Sequence, residues 1–172
     1  MHIADLLRAE LDQEVDATRA LLQRVPEGKW DFRPHEKSMS LSRLATHVGE
    51  ILGWSEVTLR RDELDFLSPE MQEWQPRELT STSEIVTELN TVADQCRADL
   101  AATSDAEFQK PWTMRMGDQV LMEAPRYLVF RRQVLNHLVH HRGQLGVFLR
   151  MLDVPLPMIY GPTADEEGGP GG

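Results

Sequence analysis

Apolar residues recur at intervals of three and four along four separate stretches of this 172-residue chain, a period that suits packed amphipathic helices. In the first stretch Leu7, Leu11, Val15, Thr18, Leu22 and Val25 draw one stripe, brought to an end by Pro26 and Gly28. The second begins after Ser40, whose hydroxyl can cap a helix, and runs through Leu44, Val48, Ile51, Ser55 and Leu59. The third opens at Ser81 with Glu84 three residues on, the spacing of a capping box, and carries Ile85, Leu89, Val92, Cys96 and Leu100 on one face. The fourth and longest tolerates Pro125 in its first turn, presents Phe130, Val134, Leu138, Leu145, Phe148, Leu149 and Leu152, and stops at Pro155. The fold expected from this pattern is all-α.

The connections differ in character. Residues 30–39 and 66–80 contain Trp30, Phe32 and Trp74 among prolines, and read as loops packed down on the helices. Between Trp112 and Met122 the residues alternate loosely around Gly117 and Asp118, which predicts a short β-hairpin before the last helix. A single domain is expected over residues 1–162, followed by a tail over 163–172 with nothing to bury and therefore disordered.

A formal charge of −10 without a basic stripe argues against nucleic acid as a partner. The segment Met1 to Asp16 interleaves charges with leucines and holds no signal-peptide core, and no apolar run reaches transmembrane length. With Cys96 as its one cysteine the chain forms no internal disulfide, and the expected setting is a reducing cytoplasm, away from membranes.

Chemistry concentrates in the histidines. His137 and His141 stand one helical turn apart in the fourth segment, and His47 holds a similar position in the second. If the two helices face each other, three neutral imidazoles can converge on one metal ion and leave coordination positions open. A pair of hydrogen-bonded core histidines is the bland alternative; burial favours the neutral imidazole that a metal needs, and His47 offers the third arm. His140 lies about 100° around the helix from its neighbour and is placed in the outer shell or on the surface. His2 and His35, at a terminus and in a loop, are expected to be exposed, and Cys96 to be a small core residue.

Glu50, one turn beyond His47, can orient a ligand or move a proton if it points inward, whereas Glu56 lies further round. Arg142 can bind an anionic substrate or serve a subunit contact, with a solvated face as its default, and Gly143 would let another backbone approach closely. The small and polar residues Ala45, Thr46 and Gly49 around His47 are expected to leave room for a ligand. No Ser-His-Asp ordering, phosphate-cradling glycine loop or CxxC pair supports another chemistry.

Three motifs together carry a resemblance. WDFRP at Trp30 to Pro34, LATH ending at His47, and NHLVHHRGQL from Asn136 to Leu145 are similar to the DinB superfamily of metalloenzymes, as is the ending from Leu149 to Gly161. That resemblance implies a four-helix bundle with long crossover connections, commonly a homodimer, holding nickel, zinc or iron with three histidines that fall on His47, His137 and His141. It also implies a small-molecule substrate, with a low-molecular-weight thiol such as bacillithiol, mycothiol or glutathione as cosubstrate in some relatives. The expected activity is thiol-dependent S-transfer, with Glu50 and Arg142 as candidates for steering protons or an anionic group. Metal-assisted hydrolysis by activated water and a non-catalytic metal-tied dimerisation bundle are the rival readings.

Overall fold

The computed structural model describes residues 2–165. Its four long helical segments begin where local hydrogen bonds make them begin. The first, α1 (Ile3–Leu22), starts with the Asp5 carboxylate accepting the His2 N–H at 3.2 Å. The second, α2 (Leu41–Glu50), starts with Ser40 Oγ accepting the Arg43 N–H at 3.1 Å. Expected as one helix to Leu59, this stretch instead passes through a 3₁₀ turn (Ile51–Gly53) into α3 (Trp54–Arg60). Gly53, a poor helix former, stands at the break, and the turn sets both Ile51 and Leu52 fully into the core.

Past a short helix α4 (Pro69–Glu73), the third segment, α5 (Thr82–Ala101), is capped by Ser81 Oγ, which accepts from the Glu84 N–H at 3.3 Å. A further short helix, α6 (Asp105–Gln109), leads into the hairpin. The fourth segment comprises α7 (Arg126–Phe130), a π-helical turn (Arg131–Leu135) and α8 (Asn136–Met151). Helices α1 and α2 both contact α5 and α8, and one cluster of buried apolar side chains runs through all four segments, from Leu7 and Leu11 to Leu145 and Leu149.

The all-α expectation is corrected by a three-stranded sheet, which makes the chain mostly helical with a small β layer. Strands β2 (Pro111–Met116) and β3 (Gln119–Pro125) form the expected antiparallel hairpin, turning at Gly117 with φ 57°. Strand β1 (Glu63–Asp65) adds in parallel on the other edge of β2, with Glu63 opposite Thr113. Trp112 anchors this layer: its side chain is fully buried beside Leu64 and Val129, and its indole N–H donates to the Val57 carbonyl at 3.2 Å.

Of the tail expected to be disordered, residues 163–165 are tied down. Asp165 meets Arg150 at 2.5 Å and accepts the Leu156 N–H at 2.8 Å. Residues 166–172 lie outside the described residues. Among the described residues no helix is long and apolar enough to cross a membrane.

Candidate metal centre

Helices α2 and α8 pack face to face, and their contact brings His47 against His137 and His141. One ligand atom from each lies within 4.8 Å of the others, and the ring centroids stand 4.6 to 5.0 Å apart. The Nε2 atoms of His47 and His137 are 3.3 Å from each other. Two imidazoles bound at about 2.1 Å to one tetrahedral ion would put their nitrogens about 3.4 Å apart, so the His47 and His137 pair already stands at the separation a shared metal requires.

Hydrogen bonds to the far side of two of the rings select the tautomer that ligation needs. His137 Nδ1 lies 3.3 Å from the Gln133 carbonyl and His141 Nδ1 lies 2.7 Å from the Gln144 amide oxygen. Both oxygens can only accept, so both Nδ1 atoms carry the proton and the Nε2 lone pairs are left for the centre. Gln144 uses its amide nitrogen on His140, which is itself exposed. The His47 side chain is the most enclosed, 12% exposed, with its Nδ1 3.5 Å from the Glu50 carboxylate.

Burial pushes the His141 imidazole down to about 4, and the neighbouring histidines add to this. It also pushes His137 below the ordinary imidazole value, with His47 acting in the same direction. Both rings are therefore neutral at pH 7, ready to donate a lone pair. Burial works against the charge of Glu50, but His47 and Arg43 outweigh it and hold the carboxyl below its ordinary value. Arg43 bonds Glu50 at 2.9 Å and also reaches the Arg77 carbonyl.

Two clefts open beside the triad and share no lining residue. One, of about 380 Å³, is lined by His47 and Glu50 together with Trp54, Phe66 and Trp74. The other, of about 430 Å³, is lined by His141 and Gln144 together with Lys37 and Phe148. Among the described residues no fourth histidine, cysteine or carboxylate joins the group, the pattern of a centre that keeps a position open.

Arg142 is not in this site. Its side chain is 3% exposed and pairs with Glu14 at 2.6 Å, while also bonding Thr18 and the Tyr160 hydroxyl. The solvated face expected for it is corrected, and with its donors committed on the α1 side of the helix it does not reach the triad. Beyond its own helix, Gly143 has no atom of the described residues within 4 Å of where a Cβ would stand, so none of their backbone makes the close approach expected there. Ala45 and Thr46 are buried, Thr46 accepts the Leu79 N–H at 2.8 Å, and Gly49 lies against Ile85, so these residues serve packing, and the cleft at His47 is lined by others.

Glu56 pairs with Arg61 at the cleft wall, His2 and His35 are exposed, and Cys96 is buried, its thiol pushed up to about 12 by that burial. The contribution of Arg43 was missed in the sequence, although it stands four residues before His47 and seven before Glu50, a spacing that places all three on one helical face.

The comparisons bear on family and fold. The DinB superfamily model matches residues 10–145. The uncharacterized protein YrdA of Bacillus subtilis (strain 168) is 24% identical over 160 residues, covering 89% of this chain and 85% of its own. A crystal structure of the DinB-like protein YjoA from Bacillus subtilis superposes with a TM-score of 0.68 at 16% identity, covering 90% of this chain and 97% of that one. A DinB-like protein from Bacillus cereus ATCC 10987 gives 0.63 at 19% identity, with 87% and 92% covered. The fold and the three-histidine cluster define a helical protein with a candidate metal centre. The chain belongs to the DinB superfamily.

Proposed function

We propose that this protein is a divalent-metal-dependent enzyme that uses a low-molecular-weight thiol as its nucleophile, with His47, His137 and His141 as the ligands. The observation that carries the reading is the convergence of three imidazoles, with no fourth protein ligand among the described residues, between two clefts. A divalent ion such as nickel, zinc or iron held there would acidify a thiol or a water bound to it. The protein's own part is orientation. Gln133 and Gln144 fix two rings, and Glu50, kept ionised and braced by Arg43, faces the Nδ1 of the third.

Glu50 also separates thiol transfer from hydrolysis. Activation of water profits from a general base whose pKa lies near the working pH, and a carboxylate held low and paired to an arginine is a poor one. A thiol acidified at the centre has less need of such a base. Lys37, which has no ion pair among the described residues, lines the cleft beside His141 and supports the reading as a cation that would suit the carboxylate of a peptide-like thiol. The four helical segments are read here as a four-helix bundle with long crossover connections, working as a homodimer in a reducing cytoplasm.

The test is metal content by elemental mass spectrometry on untagged protein, followed by thiol consumption with a panel of electrophiles. Near-stoichiometric metal that is lost in His47→Ala, with thiol consumption lost alongside it, is the expected result. Full metal content in His47→Ala and His137→Ala alike would overturn the ligand assignment. Metal-dependent turnover that needs no thiol would transfer the reading to hydrolysis.

A further inference from the structure

The cleft beside His47 has walls of one kind and charges of another. Trp54, Phe66 and Trp74 line it with Leu64 and Met71, and Trp74 is 51% exposed. A single exposed indole needs no explanation, but three aromatic side chains around one concavity that reaches a three-histidine centre form a platform for a flat apolar ligand. The charged groups at its rim are already matched within the protein. Arg61 spans Glu56 at 3.1 Å and Glu70 at 2.6 Å, Arg77 bonds Glu88 at 2.9 Å, and Glu50 is held by Arg43. Apart from an ion at the histidines, an anionic ligand entering here would meet no spare cation among the described side chains of the rim and would have to part an existing pair to gain one, whereas a neutral ligand leaves every pair intact.

From these observations we infer that this cleft binds the second substrate, and that this substrate is a neutral, planar, apolar molecule. The inference rests on the thiol-transfer reading for the word substrate, and on the cleft alone for the chemistry of the ligand.

Isothermal titration calorimetry with naphthalene-2-methanol and naphthalene-2-sulfonate on the purified full chain tests it, with metal content measured on the same sample. The neutral probe should bind about tenfold more tightly than the sulfonate, and Trp74→Ala should weaken it about tenfold while metal content stays unchanged. Phe66→Leu is the second variant, because it keeps the apolar volume and removes the ring. Equal or tighter binding of the sulfonate, or unchanged affinity in both variants, would overturn the inference. Metal present without naphthalene binding sinks the cleft assignment alone. Naphthalene binding that both variants weaken, in protein that takes up no metal, sinks the metal reading and supports the cleft as an apolar site.

Discussion

Gln144 accepts the His141 Nδ1–H with its amide oxygen and reaches His140 with its amide nitrogen, so one neutral side chain sets both the angle and the proton position of a candidate ligand. Truncation to alanine should weaken metal binding about 10- to 100-fold with helical content unchanged, as read by competition with a chromophoric chelator. Protons compete for the same nitrogens. Because His137 and His141 titrate below the imidazole of the unfolded chain, acidification protonates the unfolded state first. Their contribution to the stability of the metal-free protein is complete above an unfolded pKa of about 6.5 and falls away below it, for His141 down to about 4. The urea midpoint should therefore decrease between pH 7 and pH 5, with a shallower decrease in His141→Gln; identical slopes in the two proteins would contradict the shift. The pair was legible in the sequence because spacing puts His137 over His141, whereas adding His47 required that the two helices face each other. The burial of Arg142 was not read from the sequence: Leu138, Arg142, Leu145 and Leu149 follow one apolar stripe, but a charged residue on that stripe looks solvated until Glu14, 128 residues away, supplies its partner.

Helix α2 approaches α5 closely at Gly49, where an added Cβ would lie 3.1 Å from both Ile85 Cγ2 and the Ile85 carbonyl oxygen. The methyl group can turn aside, but the carbonyl belongs to the α5 backbone, so Gly49→Ala must push the helices apart. The expected loss is about 1 to 3 kcal/mol in urea unfolding, with weaker metal binding because His47 rides on the displaced helix. Elements governed by neighbouring residues were readable from the chain: Ser40 and Ser81 cap the helices they were expected to cap, and Gly117 turns the hairpin. Strand β1 was not, because three residues carry no period and its pairing partner lies on β2, some fifty residues on. The π turn before α8 left no local signal either, since an extra residue in a helical turn changes the phase of the stripe without changing its composition.

Across the whole molecule, Arg142 joins α8 to Glu14 and Thr18 on α1 and to Tyr160 beyond the last helix, and Tyr160 in turn donates toward the Glu14 carboxylate at 2.9 Å. Arg142→Ala leaves that carboxylate without its cation and should lower stability by about 3 to 5 kcal/mol, while protein that remains folded keeps its full metal content. Denaturant titration paired with metal analysis separates this structural role from a role at the centre. Such contacts close only when distant segments meet, which is why the helices could be placed from the chain while the ties between its two ends could not. The triad has the same long-range character: His47 and His137 lie 90 residues apart. An ion gripped by all three imidazoles would turn more than half of the polypeptide into a ring without a covalent bond, and would hold α8 on α2 as a clasp. Chelation would reopen that ring, and the amide hydrogens of α8 would exchange with solvent sooner although no residue had changed.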